Sequence, residues 1–301
     1  MSKNWIPSVE SAAHNIRKRV LGLTIKQNGC YLSQALSSAE IIATLYLQTL
    51  DLAPSTGDFI PGKFSGVPGS ADGHPAGHGG KYNGRGSGAK DRLIISPAHY
   101  AVVIYAGLVE AGRLSQDAFE TFNTDGSTME MIGAEHSPGF EMTTGSFGQA
   151  LSQAGGVALA RRLKKESGRV VVFMSDGEFE EGQTWEALQC LAHYKLDNIK
   201  VIADVNGQQV DGLTKDVMNI EPLESKLRSF GASVSVIDGH DPQAIDQAVR
   251  HTETGKPQFV LCYTDTSRGI PLLTPRKPHL HYVRFRDAAE MQRFSDFHAA
   301  M

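Results

Sequence analysis

The sequence has few cysteines and no long apolar run, and both shortages narrow what kind of protein it can be. Three cysteines occur in 301 residues, namely Cys30, Cys190 and Cys262, and none has CxxC spacing. Three cysteines are too few for a disulfide framework, so we expect none, and a cytoplasmic location is the default. No stretch reaches the roughly 18 apolar residues of a membrane-spanning helix, and the N-terminus has no apolar signal core.

An excess of positive charge is also lacking. The formal net charge is -4, which argues against a surface for nucleic acid or anionic membrane, because either would favour a basic face. With 41% apolar and 21% charged residues, the composition is that of an ordinary globular protein. The length is sufficient for a sizeable buried core. We therefore expect neither a nucleic-acid nor a membrane partner.

Short apolar runs alternate with helical patterns along most of the chain. Strands are predicted over residues 93–95, 170–174, 200–203, 234–237 and 259–263. Helices are predicted over residues 8–28, 37–50, 98–111, 148–165, 181–193, 221–230 and 242–252. This alternation predicts an α/β fold with a mostly parallel, doubly wound sheet and helices on both faces.

We expect a single domain over residues 1–301, with two irregular parts. Residues 53–90 are dense in glycine and proline, and they predict a long surface loop. An irregular C-terminal segment is predicted from about residue 265. In the second helix, Ser37 or Ser38 is the expected N-cap, with Glu40 in the first turn.

Two neighbouring predicted strands each end in a residue with a side-chain oxygen. Asp176 follows the strand at 170–174, and Asn206 follows the next strand thirty residues later. That length fits one strand–helix–strand unit, so both side chains should emerge at the carboxyl edge of a parallel sheet. With the carbonyl of Gln208 they form an oxygen-only set, which suits Mg²⁺ or Ca²⁺ rather than Zn²⁺. Mg²⁺ usually shares its shell with phosphates, and Gly177 lets backbone N–H groups approach a diphosphate.

The longer pattern around these residues resembles the thiamine-diphosphate motif of the transketolase family. Asp-Gly is followed by Glu-Gly, Trp-Glu-Ala, Leu-Asp-Asn, Asp-Val-Asn and Asp-Gly, although Ser175 replaces the motif's first glycine. An isolated Asp-Gly or Asn-Gly turn in an unrelated protein is the alternative for each piece taken alone. The resemblance implies the thiamine-diphosphate-binding fold, with a Mg²⁺ (or Ca²⁺) ion held by Asp176, Asn206 and Gln208. It implies cofactor contacts from Gly145, Phe147, Asp176, Gly177, Glu178 and Asn206.

Two further segments resemble loops of the same family. Residues 141–156 resemble the Thr-Thr-Gly loop that lies along the cofactor in relatives, which places Gly145 and Phe147 there. Residues 91–100 resemble a segment whose histidine faces the reactive carbon of the cofactor, which assigns that position to His99. Because a histidine titrates near neutrality, it suits proton transfer to a substrate oxygen. A buried structural histidine is the alternative.

Three departures from the family pattern concern the substrate. Cys30 stands where the family has a histidine, and the family's Gly-His-Pro-Glu becomes Gly-Ala-Glu-His, with His136 at a different spacing. Either His279 or His281 stands for the family's late histidine, and we prefer His281. Fewer sugar-facing histidines should weaken binding of a polyol phosphate, so an ordinary ketose phosphate is not the expected donor.

The resemblance covers residues from about 10 to 265, which is the first of the family's three domains. It implies a partner, a C-terminal-type transketolase subunit that carries the pyrimidine-binding domain and an activating glutamate. Two such pairs would form an α2β2 heterotetramer. Glu181 and Glu186 match interface residues that couple to that glutamate, so Glu181 joins His99 and His281 as a catalytic candidate.

Three functions are open at this point. The first is transfer of a two-carbon ketol unit from a ketose (phosphate) to an aldose, through thiamine diphosphate and with the partner. The second is the diphosphate-binding half of a 2-oxoacid decarboxylase or dehydrogenase, which the Trp-Glu-Ala helix and Thr-Thr-Gly loop disfavour. The third is a non-catalytic cofactor-binding subunit, which the presence of both Asp176 and Asn206 disfavours.

Overall fold

A five-stranded parallel sheet forms the centre of the computed structural model, which describes residues 4–64, 66, 78–84 and 86–301. The strand order is β1-β2-β3-β5-β4, and every neighbouring pair is parallel. The strands are β1 (Arg92–Ile95), β2 (Val170–Ser175), β3 (Ile199–Val205), β4 (Ser233–Asp238) and β5 (Gln258–Tyr263). The predicted parallel α/β sheet is therefore confirmed.

Helices cover both faces of this sheet. In the described ranges they are α1 (Ile6–Gln27), α2 (Leu32–Thr44), α3 (Ala101–Glu110), α4 (Gln116–Phe119), α5 (Gln149–Leu163), α6 (Gly182–His193), α7 (Thr214–Val217), α8 (Leu223–Ser229), α9 (Pro242–Arg250) and α10 (Ala288–Ala300). Successive strand residues point to opposite faces, so Val171 joins one core with α1, α2, α3 and α9, while Val172 joins the other with α5, α6 and α8. The sheet is doubly wound, as predicted.

The second helix begins earlier than predicted, and its expected caps are wrong. α2 starts at Leu32 and all its residues are buried, so packing rather than a polar cap determines where it begins. The hydroxyl of Ser38 donates to the carbonyl of Gln34 at 2.6 Å. The hydroxyl of Ser37 instead donates to Oδ2 of Asp204 at 2.6 Å. A π-helical turn, Leu45–Thr49, continues the helix.

The two predicted irregular parts contain more regular structure than expected. Within the predicted loop, His78–Asn83 form a 3-10 helix, while residues 65, 67–77 and 85 lie outside the described residues. The C-terminal segment contains a 3-10 helix, Pro271–Arg276, and ends in α10, which packs against α1. Only Glu290 and Phe294 of α10 are fully buried, which is too few to produce a recognisable apolar stripe.

Within the described ranges, no helix combines the length and the apolarity that crossing a bilayer requires.

Candidate active site

The carboxyl ends of β1, β2 and β3 open into one cavity of about 400 Å³. Ligands of open α/β sheets bind at this edge, and small-molecule sites have volumes of about 300–1,000 Å³. Nearly all the predicted site residues line the cavity: His99, Gly145, Phe147, Asp176, Gly177, Glu181, Asn206, Gln208 and His281. The structure therefore brings together predicted residues from five separate parts of the chain.

Asp176 lies in the turn after β2, and its carboxylate reaches across to the loop after β3. Oδ1 accepts from the Gly177 N–H at 3.0 Å, and Oδ2 accepts from the Gly207 N–H at 2.8 Å and the Thr214 hydroxyl at 3.1 Å. Burial, and then the charge of Asp204, raise the pKa of Asp176 to about 7. A cation beside the carboxylate would counteract both effects, because it stabilises the ionised form.

Asn206 is oriented by its hydrogen bonds on both sides of the amide. Its Nδ2 donates to the Tyr100 hydroxyl at 3.1 Å and to Oδ2 of Asp204 at 3.2 Å. Its Oδ1 accepts from the Gln208 N–H at 3.0 Å. The amide nitrogen thus faces the polar interior, and the oxygen faces the loop at which the predicted ion would bind.

The residues present fit a divalent ion that carries a diphosphate. Asp176 is hydrogen-bonded to Gly207, the residue between Asn206 and Gln208, so the carboxylate and that loop are in direct contact. In the part of the chain that the structure describes, no three His, Cys, Asp or Glu residues gather as a metal site. The predicted ion ligands would not form such a group, because they are one carboxylate, one side-chain amide oxygen and one backbone carbonyl. A Cβ added to Gly177 would meet nothing nearer than 3.9 Å, so this backbone borders open space.

Gly145 and Phe147 form an adjoining wall of the cavity. The N–H of Gly145 donates to the carbonyl of Ser96 at 3.0 Å, which ties the loop to the end of β1. The φ of Gly145 is +100°, and an added Cβ would lie 2.9 Å from the Cβ of Ala98. Both the dihedral angle and the close approach therefore require glycine here.

Two imidazoles face each other at the wall beside α2. The ring centroids of His99 and His281 are 5.1 Å apart, and the ring of Tyr31 lies 5.3 Å from that of His99. Burial, and then the charge of His281, lower the pKa of His99 to about 3. The expectation that His99 titrates near neutrality is therefore wrong, since burial disfavours the charged ring. A neutral imidazole still offers one N–H donor and one acceptor.

Neither Cys30 nor His136 lines this cavity. Cys30 is fully buried, and burial raises the pKa of its thiol to about 12. Its backbone pairs with that of Val283 in an isolated antiparallel bridge. Nε2 of His136 lies 2.7 Å from a carboxylate oxygen of Glu130, and its ring stacks on Phe64 at 4.5 Å. Neither residue therefore supplies a polar side chain to the cavity in place of the family histidine at position 30.

Glu178 requires a correction, because it is fully buried and does not border the cavity. Its Oε1 accepts from the Ser175 N–H at 3.1 Å, and its Oε2 accepts from the Ser96 hydroxyl. Burial raises the pKa of Glu178 to about 7. The carboxylate joins the ends of β1 and β2 behind the cavity, so in this structure it supports the turn and does not line the cavity. Glu181 and Glu186, by contrast, are exposed at the start of α6.

The sequence reasoning missed Asp204, a buried carboxylate beneath the cavity. Its Oδ2 accepts from the hydroxyls of Ser37 at 2.6 Å and Tyr100 at 2.9 Å, and its Oδ1 accepts from Thr264 at 2.5 Å. Burial raises its pKa, although these hydrogen bonds act in the opposite direction. The available signal was its position two residues before Asn206, because alternate residues of a strand share a face.

Comparison with known proteins gives one family match and several relatives. Residues 88–283 match the family described as transketolase, thiamine diphosphate binding domain. The chain is 34% identical to an uncharacterized transketolase family protein of Sinorhizobium fredii, covering 92% of this chain and 90% of the relative. It is 30% identical to the 6-deoxy-6-sulfo-D-fructose transketolase subunit SqwG of a Clostridium species, covering 89% and 88%. It is 29% identical to one of the subunits of the apulose-4-phosphate transketolase of Actinobacillus succinogenes, covering 94% of each.

Solved structures with a similar fold are longer proteins. The transketolase of Campylobacter jejuni matches with a TM-score of 0.77 at 20% identity, covering 99% of this chain and 43% of that one. The transketolase of Leishmania mexicana matches with a TM-score of 0.69 at 20% identity, covering 97% and 45%. The chain thus spans less than half the length of these proteins, and the likeness is one of fold.

Proposed function

The chain belongs to the transketolase family, and on that premise we propose that it is the diphosphate-binding subunit of a split, thiamine-diphosphate-dependent transketolase. Its reaction would transfer a two-carbon ketol unit from a ketose (phosphate) donor to an aldose acceptor. The observation that carries the proposal is the single cavity in which Asp176 and the loop at 206–208 lie opposite the rings of His99 and His281.

Asp176, Oδ1 of Asn206 and the carbonyl of Gln208 would hold Mg²⁺ or Ca²⁺, and through it the diphosphate, with Gly177 against the phosphates. Thiamine diphosphate, when bound, supplies the carbanion chemistry. His99 and His281 would contribute N–H donors to oxygens of a sugar or sugar-like substrate. Their neutral state suits this task, because a hydrogen bond to a hydroxyl or carbonyl needs a donor and no charge.

A second chain would complete the site. Relatives of matching length are named as subunits of transketolases, whereas the full-length structures are more than twice as long. Val210 is 65% exposed and Ile132 is 48% exposed, and both border the cavity beside the exposed Glu181. Exposed apolar residues around a site are typical of a docking surface. The proposed partner carries the pyrimidine-binding domain, in an α2β2 assembly.

The two other functions have less support. A 2-oxoacid decarboxylase or dehydrogenase half would share the ion site, but the named relatives act as transketolases on sugar derivatives. A non-catalytic subunit would have no need of two half-buried, neutral histidine rings beside the ion site.

The test is to reconstitute this chain with its partner, identified as a chain that co-purifies with it or whose gene lies beside its own. Two-carbon transfer should be detected with ketose donors and not with 2-oxoacids, and neither chain alone should turn over. Asp176→Asn should weaken Mg²⁺-dependent cofactor binding by roughly 100-fold or more, since it removes the charged ligand. Asp216→Asn, an exposed change nearby in α7, is the matched control. Unchanged cofactor affinity in Asp176→Asn would overturn the ion assignment, and turnover by the isolated chain would overturn the partner.

A further inference from the structure

Gln34 is a buried polar residue in the first turn of α2 that the proposed function does not use. It is 4% exposed. Its Nε2 lies 3.0 Å from the backbone oxygen of His281 and 3.2 Å from Nδ1 of the same residue. Its Oε1 accepts from the Ser33 hydroxyl at 3.0 Å. One amide group therefore contacts both the backbone and the ring of a histidine 247 residues away.

These contacts determine where the His281 ring carries its proton. A backbone carbonyl can only accept, so the Gln34 atom that faces it must be the amide nitrogen. That nitrogen has two hydrogens, one for the carbonyl and one for Nδ1. Nδ1 is then an acceptor, and the neutral ring must carry its hydrogen on Nε2. A charged ring would set two N–H groups against each other, so Gln34 also disfavours protonation.

The ring fixed in this way belongs to the cavity wall. His281 borders the cavity, its ring lies 5.1 Å from that of His99, and the ring of Tyr31 packs edge-on at 5.5 Å. Nε2 is the ring nitrogen remote from Gln34, and among the described residues it has no hydrogen-bond partner. A donor without a protein partner at a cavity wall is available to a ligand oxygen.

We propose that Gln34 is a positioning residue that holds His281 as an Nε2–H donor to a hydroxyl or carbonyl oxygen of the substrate. This inference rests on the proposed function, since it assigns a role in the same cavity. Because both His99 and His281 are uncharged donors, their side of the cavity favours an uncharged substrate oxygen. The anionic end of a substrate would then be bound elsewhere.

Two substitutions separate positioning from simple space filling. Gln34→Leu removes both hydrogen bonds at similar volume. Gln34→Glu keeps the shape, but a carboxylate can only accept, so it should pull a hydrogen onto Nδ1 and favour the other tautomer or the charged ring. Gln292→Leu, an exposed glutamine in α10, is the matched control.

The first readout is ¹⁵N NMR of the histidine-labelled full chain, with His281 assigned by comparison with His281→Gln. We expect an Nε2–H tautomer in the parent chain and in Gln34→Leu a mixture of both tautomers. The Gln34→Glu spectrum should shift to Nδ1–H or to the charged ring. An unchanged tautomer in both variants would overturn the proposal.

The second readout is kcat/KM for the donor in the reconstituted pair. Gln34→Leu should lower it about 10-fold and Gln34→Glu further, with cofactor affinity unchanged, whereas parent-like values in Gln34→Glu would show that only shape matters. If no ketose is a donor for the parent pair, the proposed transferase function fails. The NMR result still tests Gln34, so the two failures are distinguishable.

Discussion

His99 lies in a wall of rings that keeps it uncharged. Tyr31, Tyr100 and His281 all place ring centroids within 5.3 Å of its own. Burial, and then the charge of His281, lower the pKa of His99 to about 3. A residue of this kind acts through the direction of its N–H and lone pair, and its chemistry should not depend on pH in the physiological range.

The pH dependence of turnover by the reconstituted pair tests whether His99 is uncharged. His99→Asn replaces the ring by a neutral amide, and we expect kcat/KM to fall roughly 100-fold while cofactor affinity is retained. Between pH 5 and 8 the parent and the variant should give pH profiles of the same shape, because His99 is already neutral throughout. An inflection near pH 6.5 that the variant loses would contradict the neutral assignment.

The proposed ion ligands are marked in the sequence by their local spacing. Asp176 and Asn206 end consecutive strands, so chain distance alone places them together. Gln34 could not be found in that way, and only the position of Asp204 two residues before Asn206 marked it, because most of their partners are far away in the chain. The bond from Gln34 to His281 spans 247 positions and the bond from Ser37 to Asp204 spans 167.

At the scale of elements, a buried ionic network connects α1 and α2 with the loops that follow β4 and β5. NH1 of Arg17 in α1 donates to Oε1 of Glu40 in α2 at 2.7 Å. Oε2 of Glu40 accepts from Nδ1 of His240 at 2.9 Å, and Nε2 of His240 accepts from the Asp265 N–H at 2.9 Å. Burial raises the pKa of Glu40, but the hydrogen bonds and charges of His240 and Arg17 outweigh it and lower the pKa to about 2.

Removal of this carboxylate should destabilise the fold. Glu40→Gln leaves the buried Arg17 without its counter-charge, so we expect a loss of about 3 kcal/mol in the free energy of unfolding at pH 7, measured in urea. Glu120→Gln, which breaks the exposed pair with Lys26, is the control and should cost less than about 1 kcal/mol.

The sign of the pH effect follows from the direction of the shift. The folded pKa of Glu40 lies below its ordinary value of 4.5, so its contribution is fully present above pH 4.5 and is lost as the pH falls toward about 2. The gap between parent and Glu40→Gln should therefore narrow from pH 5 to pH 3. A gap that stays constant over this range would count against the lowered pKa.

Elements with a clear apolar period were predictable, whereas those defined by their neighbours were not. All five strands contain short apolar runs and were identified within two residues of each bound. The start of α2 was missed because the helix is buried on every side, which removes the polar face that marks a boundary. The helix α10 was missed because so little of it is buried.

At the scale of the whole molecule, exposed apolar side chains lie at the carboxyl edge of the sheet, where we propose that the partner binds. Val210 is 65% exposed and Met218 is 56% exposed in the region after β3, and Ile132 is 48% exposed at the cavity. Leu163 is 76% exposed at the opposite end of the molecule, where α5 ends. Substitutions at Val210 and Leu163 therefore compare the two ends of the molecule as binding surfaces.

We expect Val210→Asp to weaken binding of the partner chain by roughly 10-fold or more, because it puts a charge into a desolvated contact. Leu163→Asp likewise puts a carboxylate in place of an exposed apolar side chain and should leave the affinity unchanged. Sedimentation of mixtures of the two chains measures both. Equal weakening by the two variants would place the interface elsewhere.

The bridge between Cys30 and Val283 has a consequence for how this enzyme could diversify. It fastens the late segment that bears His281 to the beginning of α2, so the two ends of the chain jointly form one side of the cavity. The proposed ion clamp comes from the middle of the chain, at the tips of β2 and β3. Mutations near either terminus could thus remodel which molecule is accepted while the chemistry of the clamp is inherited intact.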